Sequence, residues 1–123
     1  MRDRASVVDE RVADVLRRAA EAGLAQRLMV DFSHSNSSKN PQKQMDVGAD
    51  IARQLSHGEE RIFGIMVESH LKGGRQDLQP GKALAYGQSI TDGCISWEDT
   101  HKLLETLADG VRRRRIKRTE ADQ

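Results

Sequence analysis

Apolar positions in this chain occur either at helical spacing or in short unbroken blocks, and the alternation between the two predicts the order of elements. Over residues 6–22, Val8, Val12, Val15, Leu16 and Ala19 recur at spacings of 4, 3, 1 and 3, one stripe of a helix. Ser6 is placed to cap its start, Asp9 to face its first-turn N–H groups, and Gly23 to end it in a left-handed conformation. Residues 28–33 change the pattern. Leu28, Met29 and Val30 are consecutive, as in a strand covered on both faces. A polar cluster at 35–40 follows. A second helix is expected over 41–57, with Asn40 as cap, Pro41 at the first position, and Met45, Ala49, Ile51, Ala52 and Leu55 inward. Gly58 is its stop. Residues 62–67 form a second apolar block and predict a strand, where Gly64 permits close backbone approach.

Residues 69–88 read as a long loop, punctuated by Gly73, Gly74, Pro80, Gly81 and Gly87. Loops of that length tend to be functional or disordered. The apolar run 83–86 within it is expected to form one turn or pack as a lid. A short third strand over 93–95 leads to Ser96, the expected cap of a helix over 97–113. Leu103, Leu104, Leu107, Ala108 and Val111 would be its buried side. Helix, strand, helix, strand, loop, strand, helix is the order of βα units around a parallel sheet. Right-handed crossovers place the C-terminal ends of such strands on one side.

Composition narrows this reading. The 123 residues suit one domain, 1–123, and the clustering of the 37% hydrophobic residues favours a folded α/β chain despite 32% charged residues. A formal net charge of +1 gives no global field to attract nucleic acid or an anionic membrane. The one cysteine, Cys94, excludes an intrachain disulfide and fits a reducing, cytoplasmic setting. No apolar run approaches the ~20 residues that span a bilayer, and no signal-peptide core follows Met1. The basic run 112–118, within a tail of residues 112–123, is expected to be a solvated helix end that frays. Contact with phosphates is the alternative, but no aromatic residues are interleaved to stack on bases.

The candidate chemistry sits where the apolar blocks end. His34 follows the first, Glu68 the second, and Asp92 accompanies the third, so parallel βα geometry would gather them into one site. One imidazole and two carboxylates form a borderline-hard donor set suited to Mn²⁺, Fe²⁺, Co²⁺ or Zn²⁺. Three protein ligands leave positions open, as in a catalytic metal site. Loop capping or ion pairing is the alternative for Glu68 and Asp92, and a hydrogen-bonded pocket residue for His34. Asp31 is placed to hydrogen-bond a ligand imidazole. His70 is either a neighbouring support or a surface histidine. Lys39 is either an anion contact or a solvated loop lysine. Cys94 is expected to be an inert buried thiol.

Three longer strings carry a resemblance: VDFSHSNSSK at 30–39, GIMVESHL at 64–71 and LAYGQSITDGCISWED at 84–99. Together they resemble the type I 3-deoxy-D-arabino-heptulosonate 7-phosphate (DAHP) synthases, in order and with compatible spacing, over residues 6–111 at least. The resemblance implies an enzyme that condenses phosphoenolpyruvate with erythrose 4-phosphate and releases phosphate, the entry step of the shikimate pathway to aromatic amino acids. It implies a (β/α)8 barrel and a divalent metal. His34, Glu68 and Asp92 match three of that family's four metal ligands. The fourth, a cysteine on an early barrel strand, lies in a part this chain does not contain, and Cys94 is not its substitute.

A full barrel of this kind needs roughly 200–250 residues. The chain therefore resembles the C-terminal portion, about three strands and at most four helical segments. The phosphate-holding arginines and lysines of the family lie mainly in the other part. The expectation is a chain with little activity alone, completed by a homo-oligomer or a complementing chain. A metal-binding or partner-completing half-barrel without catalysis is the alternative.

Overall fold

The computed structural model describes residues 4–34 and 40–123; the loop expected at 35–39, Lys39 included, lies outside the described residues. Among the described residues the arrangement is α/β, with a parallel two-stranded sheet and three helices. The order is α1 (Arg4–Glu21), β1 (Leu28–Asp31), α2 (Lys43–Ser56), β2 (Ile62–Met66) and α3 (Trp97–Ala121).

Helix α1 begins two residues before the expected start, so Ser6 is inside the helix and is not its cap. Its end follows the sequence. Gly23 takes φ +73°, its N–H donates to Ala20 O at 3.0 Å, and the Leu24 N–H donates to Ala19 O at 2.8 Å. That pair of bonds is a Schellman closure, which only a residue tolerant of positive φ completes cheaply. Val12 and Leu16 are buried, whereas Val15 is exposed. The inward stripe is narrower than its apolar content.

β1 and β2 pair in parallel, with Leu28 opposite Ile62, Met29 opposite Gly64, Val30 opposite Ile65 and Asp31 opposite Met66. The register slips after Leu28, leaving Phe63 as the extra residue. Phe32 and Ser33 were expected to be strand but lie beyond its end, both buried. Val67 likewise falls just past β2. Gly64 is not at a tight approach: an added Cβ would lie 3.5 Å from Met29 Cγ, ordinary van der Waals contact. Leu28, Val30, Ile62, Ile65 and Val67 join the core, while Met29 is 57% and Phe63 60% exposed. One face of the sheet is thus open, with the Arg27 guanidinium 5.0 Å from the centre of the Phe63 ring.

Helix α2 starts two residues later than expected. Its cap position is Gln42, which has helical angles and no side-chain cap bond. Asn40 instead closes a turn, accepting the Gln42 N–H at Oδ1 (3.1 Å), while Lys43 and Gln44 donate to the carbonyls of Asn40 and Pro41. The first-turn donors are therefore satisfied by backbone, and no capping side chain is needed. The buried face runs through Gln44, Val47, Gly48, Ile51, Ala52 and Leu55; Ala49, expected inside, is outside. Gly58, at φ +105°, follows the helix end as expected.

The expected strand at 93–95 is two isolated bridges instead. Ile95 pairs in parallel with Ser69, and Cys94 pairs antiparallel with Gly74. The reason is local: Ser96 already has the cap conformation (φ −70°, ψ 164°) and accepts the Asp99 N–H at 3.1 Å, so the chain turns into α3 after one pairing residue. The 69–88 loop is tied rather than loose. Gln76 bridges Ala85 and Gln88, and Arg75 pairs with Ser89. The run 83–86 is exposed, so it packs on nothing as a lid.

Helix α3 does not end at 113 but continues to Ala121. The basic run is held in it by contacts. Arg114 donates to the carbonyls of Glu59 and Ile62 at 3.1 Å each, and Arg118 pairs with Glu60. Leu103, Leu107 and Gly110 are buried; Leu104 and Ala108, expected inside, are exposed. The α2–α3 contact depends on two glycines. A Cβ on Gly48 would lie 2.1 Å from Leu103 Cδ1, and one on Gly110 would lie 2.8 Å from the Ala52 carbonyl oxygen. At Gly110 the helices touch at backbone distance, and at Gly48 the Leu103 side chain fills the space.

Two outcomes follow from this packing. Gly110→Val forces a branched side chain against the Ala52 backbone, which cannot rotate away, and should cost about 1–3 kcal/mol in urea unfolding; an unchanged midpoint would mean the helices are not in close contact. The Arg61 guanidinium, bonded to Glu59 at 2.6 and 2.9 Å, holds the Glu59 carboxyl below its usual range against the opposing effect of burial. A carboxyl depressed in the folded state stabilises above its unfolded value, about 4.3, and that stability is lost as pH falls through the folded value. Glu59→Gln should therefore be less stable than the parent at pH 7, with the gap closing in acid; a gap that persists unchanged at pH 3 would contradict this.

Candidate metal centre

The parallel register brings β1 and β2 to a common end, and the next residues of each carry the polar groups. Asp31 ends β1, opposite Met66, and Glu68 follows β2 by two residues. Beyond β1 the chain turns sharply: His34 has φ +53°, the one non-glycine residue at positive φ among the described residues. That region disfavours an L side chain by roughly 1–2 kcal/mol, and residues held there concentrate at functional sites. The turn is fixed by Asp31, whose Oδ1 accepts both the Ser33 N–H (2.8 Å) and the Ser33 hydroxyl (2.5 Å).

The same carboxylate orients the imidazole. His34 Nδ1 lies 2.8 Å from Asp31 Oδ2 and 2.7 Å from Ser33 Oγ. Bonding at Nδ1 sets the plane of the ring and turns Nε2 toward Glu68 and Asp92. Nε2 lies 3.6 Å from Glu68 Oε1 and 3.7 Å from Asp92 Oδ2. One donor atom from each of His34, Glu68 and Asp92 lies within 4.8 Å of the others. The structure brings together the three residues expected from sequence.

Charge and burial distinguish the three. The hydrogen bond to Asp31 raises the His34 pKa above its ordinary value, with Glu68 and Asp92 adding to it. Burial and the Asp92 charge raise that of Glu68. Asp31 is lowered: burial opposes ionisation, but the bonds from Ser33 and His34 together outweigh it. The side chain of Glu68 is 24% exposed, that of His34 48% and that of Asp92 68%. The cluster is therefore open on the Asp92 side.

The donor set fits a divalent cation. Ligands on bonds of about 2.1 Å stand roughly 3–4 Å apart, close to the separations from Nε2 seen here. An ion at the centre would also relieve the mutual repulsion of two adjacent carboxylates. An imidazole oriented by a carboxylate is a common support for a metal ligand.

The other candidates fall outside the cluster. His70 is exposed, and its Nδ1 accepts the neighbouring Leu71 N–H at 2.8 Å. Cys94 is buried with Sγ 3.7 Å from the Asp92 carbonyl oxygen, and burial, then Glu68, pushes its thiol pKa up, so it is a neutral packed thiol. Sequence reasoning missed Gln44. Its fully buried amide bonds both backbone groups of Glu68, with Oε1 accepting the Glu68 N–H (2.9 Å) and Nε2 donating to the Glu68 carbonyl (3.1 Å). The available signal was a polar residue in phase with Val47, Gly48, Ile51 and Leu55.

Comparison with known proteins adds to this geometry. The model of the DAHP synthetase I family matches residues 6–105. The chain is 56% identical over 104 residues to the Phe-sensitive phospho-2-dehydro-3-deoxyheptonate aldolase of Escherichia coli strain K12, covering 85% of this chain and 30% of that protein. It is 58% identical over 95 residues to the phospho-2-dehydro-3-deoxyheptonate aldolase of Haemophilus influenzae, covering 77% of this chain and 26% of that one. A solved phospho-2-dehydro-3-deoxyheptonate aldolase from Francisella tularensis SCHU S4 superposes with a TM-score of 0.80 at 45% identity, covering 85% of this chain and 30% of its own. The chain spans about a third or less of the length of these relatives.

The imidazole–carboxylate bond is directly testable. In metal-free protein, NMR titration of the His34 ring should give a midpoint above the ordinary histidine value of about 6.5. Asp31→Asn should bring it down, because the replacement removes the charge and the strongest acceptor. A midpoint unmoved by Asp31→Asn would show that the ring does not face that carboxylate.

Proposed function

The chain belongs to the DAHP synthetase I family, and we propose that it is the C-terminal portion of a DAHP synthase, with His34, Glu68 and Asp92 as ligands of a catalytic divalent metal. The observation that carries this reading is the convergence of those three side chains, from three separate segments, around an imidazole oriented by Asp31. Mn²⁺, Fe²⁺, Co²⁺ and Zn²⁺ all suit the donor set. The reaction is the condensation of phosphoenolpyruvate with erythrose 4-phosphate, with release of phosphate.

A bound ion would supply either Lewis-acid polarisation of the aldehyde oxygen or activation of the water that adds to the condensing enol carbon. The chain's own residues do the arranging. Asp31 holds the His34 ring at Nδ1, so that Nε2 faces Glu68 and Asp92. Glu68, the least exposed of the three, sets the inner wall of the site, and exposed Asp92 leaves the approach from solution open. Groups that hold the substrate phosphates would come mainly from outside this chain. Such positioning is worth up to ~7–11 kcal/mol of barrier in favourable cases.

The domain reading is one partial (β/α)8 barrel over residues 1–123. It is supported by parallel pairing of β1 with β2 and by the exposure of the strand residues Met29 and Phe63. A parallel sheet is normally covered on both faces, and an open edge invites a neighbouring strand. The partner would be the remainder of a barrel, in a complementing chain or a second copy. No helix among the described residues is long and apolar enough to cross a membrane, and the single cysteine fits a cytoplasmic setting. The same open face supports a second reading, a metal-holding half-barrel that completes a partner without catalysing anything itself.

Calorimetric titration with Mn²⁺ and a coupled phosphate-release assay test both readings. The chain should bind one ion, lost in His34→Ala, and should release little phosphate from the two substrates alone. Co-expression with the remainder of the Escherichia coli relative should restore metal-dependent release. Robust turnover by the chain alone would overturn the shared barrel. Failure to bind any divalent ion would overturn the metal site, and a metal-loaded complex without turnover would favour the half-barrel reading.

A further inference from the structure

We infer that Gln44 is a positioning residue for the metal centre: its buried amide fixes the backbone of Glu68 and so sets where the Glu68 carboxylate points. This rests on the reading of His34, Glu68 and Asp92 as metal ligands. Glu68 lies beyond the end of β2, so no β1 residue pairs with it; the last paired residues are Asp31 and Met66. Its peptide groups would be left without a ladder partner on that side. Gln44 takes the place of the missing strand. The Oε1 atom accepts the Glu68 N–H at 2.9 Å and Nε2 donates to the Glu68 carbonyl at 3.1 Å, a two-point bond that copies a strand neighbour. The Glu68 carbonyl also accepts the Ile95 N–H at 3.0 Å, so both its lone pairs are used. Since a backbone N–H only donates and a carbonyl only accepts, the orientation of the Gln44 amide is fixed by chemistry.

Burial makes this bond consequential. Gln44 is fully buried on the helical face that carries Val47 and Ile51, where an amide without partners would be costly. An apolar residue of the same size would pack there without that requirement. The segment that carries Asp92 meets the same Glu68 peptide through Ile95. One peptide unit therefore ties α2, the end of β2 and the Asp92 segment together, and Gln44 is its only side-chain contact from α2 among the described residues. The chemistry asks that a carboxylate be held within tenths of an ångström of one place.

The test uses the full chain and three substitutions. Parent protein should bind Co²⁺ with a visible d–d absorption band, and His34→Ala should abolish it. Gln44→Met should keep a cooperative thermal transition but bind Co²⁺ about 10–100-fold more weakly, with a shifted band, as typical for loss of a group that orients a ligand. Gln44→Glu retains the acceptor for the Glu68 N–H but, ionised, turns a carboxylate oxygen toward the Glu68 carbonyl in the buried site, so its Co²⁺ affinity should fall at least as far as that of Gln44→Met. Wild-type affinity and an unaltered band in Gln44→Met would overturn the inference. Amide hydrogen exchange of Glu68 in metal-free protein gives an independent reading: protection should drop in Gln44→Met, and unchanged protection would overturn the clamp. If the parent binds no Co²⁺, the metal reading fails, the positioning role fails with it, and the exchange data show separately whether the clamp exists. If Gln44→Met does not fold, Gln44→Glu decides on affinity and band; because it keeps the acceptor for the Glu68 N–H, protection of that amide should persist in it.

Discussion

Parallel pairing of β1 and β2 is the constraint on which the rest depends. In an antiparallel pair the residues after one strand lie at the opposite edge from those after the other. In a parallel pair they lie together. With Asp31 opposite Met66, the segments that follow both strands leave from one edge, and His34 and Glu68 meet although their positions in the chain are distant. The pairing is possible because α2 returns the chain to the starting end of the sheet, as a crossover must. The Ser69–Ile95 bridge repeats the arrangement once more, with only enough extended chain to bring Asp92 to the same edge before α3 begins.

The helical layer makes that edge rigid. Gly110 lets α3 approach the Ala52 backbone of α2, and Gly48 leaves room for the Leu103 side chain, which leaves little freedom for one helix to slide on the other. Fixing α3 fixes Ser96, its cap, and hence the bridge at Ile95. Fixing α2 fixes Gln44. The two glycines hold no site residue, yet both segments that grip the Glu68 peptide are anchored by the contact they allow. The basic end of α3 adds to this, since Arg114 bonds the carbonyls at the entry to β2.

What the sequence made legible follows the range of the forces involved. Local signals were clear: the Gly23 closure, the Ser96 cap and the two apolar strand blocks depend on residues within a few positions. Strand ends, the phase of the helical stripes and the length of α3 depend on partners far away. Ala49 and Leu104 are apolar but face outward, while the contact faces of the two helices run through Gly48 and Gly110. Arg114 extends α3 because its acceptors lie more than fifty residues earlier. Of the site, His34, Glu68 and Asp92 were visible as polar residues at the ends of apolar blocks. Gln44 was not, because a lone glutamine in a helix has no local signature of the backbone it will bond.

The distribution of strain separates scaffold from site. Away from the cluster, many ion pairs are local and exposed, as with Arg17 between Asp14 and Glu21. At the cluster the chain accepts a histidine at positive φ, two neighbouring carboxylates, and one carboxyl made harder to ionise by the other. None of these helps the fold by itself, and a protein selected only for stability would be expected to lose them. They persist because Asp31, Ser33 and Gln44 each hold one element of the arrangement from outside it. A cation at the centre would outweigh the carboxylate repulsion while leaving those supports unchanged. The arrangement is thus better matched to the loaded site than to the empty one, and this mismatch is the physical basis for proposing a metal there.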